Sequence, residues 1–147
     1  MKAAITACAL ICATASASAA QSLIGTWTCA RDTAQSTALS NVTFDANGRL
    51  NALVNITFLG VDQEVFAQAR YRSDYVFEAG TLSDTAVGAS INAFTINGKD
   101  ARKSDHAERL RMSLLEGAEG TAKVQFTSEN YMVISPGGAP INCVRME

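Results

Sequence analysis

A regular alternation of apolar and polar residues begins at Val42 and is the clearest pattern along the chain. Val42 and Phe44 alternate with polar neighbours, and the segment Asp45-Ala46-Asn47-Gly48 then interrupts the alternation. The Asn-Gly pair tolerates the positive φ that tight hairpin turns require. Apolar residues then return at every second position, at Leu50, Ala52, Val54, Ile56 and Phe58. Such alternation is typical of a strand with one buried face, so the pattern predicts an antiparallel hairpin.

Shorter runs of the same alternation lie on both sides of this hairpin. Residues 22–30 predict a first strand, and the odd positions from Val65 to Ala79 predict either one long bent strand or two strands broken near Ser73-Asp74. Further strands are predicted over 89–96, 122–127, 131–134 and 141–146. Residues 31–37 and 80–88 lack a clear pattern and are interpreted as loops.

One segment, residues 105–116, shows helical rather than strand spacing. Ala107, Leu110 and Leu114 recur at intervals of three and four residues, as on one face of an amphipathic helix. Asp105 is a candidate N-cap with Glu108 three residues later, and Asp105 and Arg109 are spaced for an ion pair. The pattern predicts one short helix before the last strands.

The first 20 residues have the layout of a secretory signal peptide. Lys2 precedes an apolar run, and small residues lead to A-x-A-like sites that predict cleavage after Ala19 or Ala20. A lipoprotein signal ending at Cys8 is the alternative, but few apolar residues precede that cysteine. We therefore expect a signal peptide over 1–20, one domain over 21–147, and a periplasmic or secreted protein without a membrane span.

Two cysteines, Cys29 and Cys143, follow the predicted signal peptide. A single pair in an exported chain predicts a disulfide, and two unpaired buried thiols are the alternative. Two cysteines and one distant histidine lack the spacing of a zinc site, so no metal or cofactor is expected. If the first and last strands pair antiparallel with the cysteines opposite each other, Trp27 faces Arg145. Pairing between the terminal strands predicts an all-β fold, a small antiparallel up-and-down barrel of eight or nine strands.

The segment Gly25-Thr26-Trp27 on the first strand, followed by Arg145 on the last, resembles the signature of lipocalins and the wider calycin superfamily. The resemblance covers both ends of the chain and the strand count between them. It implies a small barrel that binds an apolar or amphipathic molecule, closed by Gly25, Trp27 and Arg145. The long helix that follows the barrel in lipocalins is missing, as are the family's second and third motifs, so the chain is more similar to a compact bacterial lipocalin-like domain.

The presumed inner face of the barrel supplies a candidate ligand pocket, and an ordinary packed core of the same residues is the alternative. Its members are Phe44, Val54, Ile56, Phe58, Tyr71, Tyr75, Phe77, Val124 and Phe126. No catalytic motif accompanies them, and His106 beside Asp105 is interpreted as a solvated surface residue. We therefore expect a non-enzymatic monomer.

A periplasmic protein-binding module, such as an inhibitor or an immunity-type factor, is the second functional interpretation. It would use the polar loop over 31–40 and the basic helical segment over 101–116. The candidate contact residues are Arg102, Lys103, Arg109 and Arg111, and a solvated surface is the simpler interpretation of both features. The net charge of −2 disfavours nucleic acid as a partner.

Overall fold

The structure is a computed structural model that describes residues 21–116 and 120–147. The predicted signal peptide, with Cys8 and Cys12, lies outside the described residues. The described strands are β1 (Gly25–Asp32), β2 (Ser36–Phe44), β3 (Arg49–Phe58), β4 (Val65–Glu78), β5 (Thr81–Ile96), β6 (Lys99–Asp100), β7 (Gly120–Ser128), β8 (Tyr131–Ser135) and β9 (Ile141–Arg145). One helix, α1 (Asp105–Glu116), lies between β6 and β7.

Eight of these strands close into an antiparallel barrel. Their order around the barrel is β1, β2, β3, β4, β5, β7, β8 and β9, and β9 pairs with β1. The two-residue strand β6 pairs only with the end of β5 and stays outside the ring. The predicted all-β barrel with one helix before the last strands is therefore confirmed.

The two ends of the described chain meet in the pairing of β1 with β9. Cys29 lies opposite Cys143 and forms a disulfide with it, and Trp27 lies opposite Arg145. The Arg145 guanidinium carbon is 4.2 Å from the centre of the Trp27 ring. The register predicted from the sequence is confirmed, and the crosslink fixes the seam at which the barrel closes.

The hairpin of β2 and β3 follows from the turn chemistry of Asp45–Gly48. The Asp45 carboxylate accepts hydrogen bonds from the backbone N–H groups of Asn47 and Arg49, at 2.9 and 3.0 Å. Gly48 adopts a φ of 78°, which a residue without Cβ adopts at little cost. Phe44 and Leu50 are consequently opposite each other and buried, as the alternation predicted.

The main core lies around the β1–β9 seam. Trp27 is fully buried, and its indole N–H donates to the carbonyl of Leu23 at 2.8 Å. Buried residues of this cluster are Leu23, Trp27, Cys29, Phe44, Leu50, Leu82, Val124, Met132, Ile134 and Cys143. Aromatic rings pack edge to face within it, with ring centres 5.2 Å apart for Phe44 and Tyr75 and 6.3 Å apart for Phe77 and Phe126.

A second, smaller core lies where β4 and β5 extend beyond the rest of the barrel. These two strands are 14 and 16 residues long, whereas β8 and β9 have five residues each. The short strands cannot cover the extension, and α1 packs against it instead. Ala107 of α1 is buried against Ala67 and Phe94, which are register partners on β4 and β5.

Two expectations about individual segments were wrong. Residues 31–37 are not a loop, because β1 continues to Asp32 and β2 begins at Ser36 after a turn held by the Thr33 hydroxyl. Residues 80–88 belong mostly to β5, which starts directly after a tight turn at Ala79-Gly80. Strand β5 pairs with β7 only through Thr81–Asp84 and with β6 only at its end. Within the described residues, the stretch between them pairs with β4 alone.

The helix has the predicted bounds, but its N-cap residue differs from the predicted one. Ser104 is the N-cap, since its hydroxyl accepts from the backbone N–H of Ala107 at 3.3 Å. The expected pair of Asp105 with Arg109 is replaced by an ion pair between Glu108 and Arg111. Within the described ranges, no helix combines the length and apolar character needed to cross a bilayer.

Candidate ligand cleft

The predicted pocket residues are divided between the two cores. Six of them pack in or against the main core, namely Phe44, Tyr71, Tyr75, Phe77, Val124 and Phe126. Ile56 and Phe58 pack against the second core, and Val54 lies on β3 between these groups, opposite Ala69. Five of the six aromatic residues of the set thus pack in or against the main core around Trp27, and the sixth, Phe58, packs against the second core.

A cleft of about 690 Å³ lies between α1 and the extended end of β3, β4 and β5. Its volume falls within the range of small-molecule sites, about 300–1,000 Å³. Apolar side chains form most of its wall: Phe58, Val61, Val65, Phe94, Ile96 and Leu110. We call this space the helix cleft.

The floor of the helix cleft is a row of residues that the sheet register places side by side. Phe58 of β3 lies opposite Val65 of β4, and Val65 lies opposite Ile96 of β5. Asn97 holds this end of the sheet, because its carboxamide oxygen accepts from the Glu64 N–H at 3.0 Å and its own N–H donates back to Glu64. Leu110 supplies the facing wall from α1.

Polar groups line the rim of the helix cleft. A guanidinium N–H of Arg109 lies 2.9 Å from Nδ1 of His106. Both side chains are exposed, in agreement with the prediction for His106. Asp62 contributes a carboxylate from the β3–β4 connection. An apolar floor with a charged rim suits a molecule that has one apolar and one polar end.

The predicted basic contact group is partly neutralised by its neighbours. Arg102 pairs with Asp100 at 2.9 Å and Arg111 with Glu108 at 2.6 Å. Hydrogen bonding from Arg102 lowers the pKa of Asp100 to about 2, and Arg111 likewise lowers the pKa of Glu108. Lys103 is exposed.

Residues 31–40, the other half of the predicted protein-binding surface, are strands joined by a three-residue turn rather than a loop. The loop assignment was therefore wrong. A protein-binding function stays a prediction.

Two tyrosines place hydroxyl groups inside the barrel. The Tyr71 hydroxyl donates to the Asp84 carboxylate at 2.7 Å, and burial together with that carboxylate raises the pKa of Tyr71 well above its usual range. The Tyr75 hydroxyl donates to the Asp45 carbonyl at 2.7 Å, and burial is the main cause of its raised pKa. Both phenols therefore remain protonated donors at neutral pH. In the described part of the chain, no three metal-binding side chains cluster together.

No protein-family model matches the chain, and a search of curated proteins finds no match either. The likeness to lipocalins therefore rests on the Gly-x-Trp segment, the distant arginine and the barrel. Only Phe58 of the predicted pocket lines the helix cleft. The other apolar lining residues were missed because the sequence does not reveal which strands extend under the helix. The apolar face of α1 at Ala107 and Leu110 was nevertheless a signal that the helix covers an apolar surface.

Proposed function

We propose that this chain is an exported, non-enzymatic lipocalin-like domain that binds a small amphipathic molecule in the helix cleft. The observation that carries the proposal is the cleft itself, a space of about 690 Å³ with an apolar floor at the end of a closed barrel. Side chains of the main core pack against one another around Trp27, so we place the ligand beside α1 rather than at the centre of the barrel.

The rim of the cleft supports an amphipathic rather than a purely apolar ligand. Arg109 and His106 line the cleft from the helix side, and Asp62 lines it from the connection between β3 and β4. A ligand can then bury its apolar part against Phe58 and Phe94 while its polar end stays hydrated at the rim. Export is supported by the disulfide, since structural disulfides persist mainly in oxidising compartments.

The proposal is tested by titrating the purified protein with N-phenylnaphthylamine, an uncharged probe whose fluorescence rises in apolar sites, and displacing it with dodecanoate. Leu110→Gln places an amide in the cleft wall, and we expect at least a tenfold loss of probe affinity, because a buried amide without a partner is costly. Leu114→Gln is the matched control, a half-buried leucine of the same helix outside the cleft lining. Absent binding, or equal losses in both variants, would refute the proposal.

A further inference from the structure

A second cleft, of about 570 Å³, lies on the outer face of the barrel across β2, β3, β4 and β5. Two rows of register partners cross it. One row contains Thr43, Asn51, Arg72 and Gly88, and the other contains Asn41, Leu53, Arg70 and Ser90. We call it the arginine cleft.

The arginine cleft lies where the pairing of β4 with β5 is irregular. The pairing of β4 with β5 shifts register twice, between Gln68 and Ala69 and between Arg72 and Ser73. Bulges of this kind bend a strand and increase its twist. Arg70 and Arg72 lie on the short segment between the two shifts, and both side chains are exposed.

The charged residues that line the arginine cleft are both positive. Its described lining contains two arginines and no aspartate or glutamate. Neither arginine forms a salt bridge with any residue that the structure describes. Asp74, the next residue of β4 on the same face, lies opposite Arg49 in the register and lines an adjoining pocket with Asp45 and Arg72.

Uncharged hydrogen-bonding groups surround the two guanidiniums. The Asn41 carboxamide oxygen accepts from the Thr28 hydroxyl at 3.2 Å, which leaves the Asn41 N–H groups as donors. Gly88 provides room for Arg72, because a Cβ at this position would come within 3.0 Å of the Arg72 Nη2 atom. The half-buried Leu53 adds a small apolar surface between the polar groups.

We propose that the arginine cleft binds a small hydroxylated anion, a sugar that carries a phosphate or a carboxylate. Guanidinium groups bind both anions through paired, charge-assisted hydrogen bonds. The surrounding amides and hydroxyls match sugar hydroxyls, and Leu53 offers a contact for an apolar ring face. This site lies on the outer face of the sheet and is separate from the helix cleft, so either site can fail without the other.

Isothermal titration calorimetry with glucose 6-phosphate, glucuronate and neutral glucose tests the proposal. We expect binding of at least one charged sugar at millimolar or lower concentration, weakening as salt is added, and no binding of glucose. The charged sugar that binds more tightly shows whether the site prefers a phosphate or a carboxylate. Failure of both charged sugars to bind, or equal binding of glucose, would overturn the proposal.

Three variants locate the binding. Arg70→Gln combined with Arg72→Gln should weaken affinity at least tenfold, because both charge-assisted contacts are lost. Lys99→Gln combined with Lys103→Gln removes the same charge elsewhere and should leave affinity within twofold. Gly88→Ala keeps both charges but displaces the Arg72 guanidinium, so affinity should fall severalfold at an unchanged melting temperature. Equal effects of the two double variants would show a general charge effect and refute the site.

Discussion

The disulfide between Cys29 and Cys143 should be the largest single contribution to the stability of this barrel that a small substitution can remove. The two cysteines are 114 residues apart, and both are buried. Crosslinking a loop of that length lowers the entropy of the unfolded chain by an amount worth about 5 kcal/mol at room temperature in the chain-entropy treatment. Measured losses for native disulfides are about 2–5 kcal/mol, so we expect Cys29→Ala combined with Cys143→Ala to lose about 3–5 kcal/mol.

This loss is a large part of the free energy of unfolding of a domain of this size, which is typically about 5–15 kcal/mol. Equilibrium unfolding in urea, followed by Trp27 fluorescence, measures it, and the melting temperature should fall by roughly 10–20 °C. Thr28→Ala combined with Val144→Ala is the control, since these residues neighbour the two cysteines on the same strands and are less buried. A loss below about 1 kcal/mol, or one no larger than in the control, would show that the crosslink does not constrain the unfolded chain as argued.

Three further side chains give testable effects. Arg145 donates to the carbonyls of Ser22 and Ile24 at 2.7 Å each and to the carbonyl of Glu129 at 3.1 Å. Arg145→Ala should therefore lower the free energy of unfolding, measured in urea, by about 1.5–3 kcal/mol. An unchanged urea midpoint would contradict this. The raised pKa of Tyr71 contributes stability that is present below the ordinary tyrosine pKa of about 10 and is lost as pH rises through the higher folded value. In Tyr71→Phe, the loss of stability as the pH rises above about 10 should therefore be smaller than in the unaltered chain. Ionisation of Tyr71 near its ordinary pKa, followed by spectrophotometry, would refute the prediction. The low pKa of Asp100 should appear as an NMR titration midpoint at about 2. Any stability that this pairing contributes is present above pH 3.8 and is lost as the pH falls toward that midpoint. In Arg102→Gln the midpoint should rise toward 3.8, and identical midpoints would contradict the pairing.

The parts of the fold that could be predicted were those in which local chemistry and register agree. The β2–β3 hairpin was evident because the Asp45–Gly48 turn and the flanking alternation require the same pairing. The barrel seam was evident because one disulfide between terminal strands determines the residue pairs beside it, including Trp27 and Arg145.

The misassigned loops were hidden for identifiable reasons. The turn after Asp32 depends on the Thr33 hydroxyl, which accepts from the N–H groups of Gln35 and Ser36, and no glycine or proline marks it. The start of β5 is rich in small residues, and two register shifts with β4 disturb its alternation. Gly88 was interpreted as a loop residue, although it lies within a strand and leaves space for Arg72.

The two clefts depend on relationships that a single sequence does not display. The helix cleft forms because β4 and β5 are longer than β7, β8 and β9, and strand length became visible only with the pairing. The arginine cleft depends on which residues of four strands share a row, and only the strand pairing reveals this. Helix α1 itself was predictable, but the surface that it covers was not.

Native mass spectrometry of the protein purified from its own source tests the central functional claim most directly. We expect a species heavier than the bare polypeptide by one small molecule, present in the unaltered chain and in Leu114→Gln and depleted in Leu110→Gln. A single species at the bare polypeptide mass in all three proteins would contradict the claim that the helix cleft holds an amphipathic ligand.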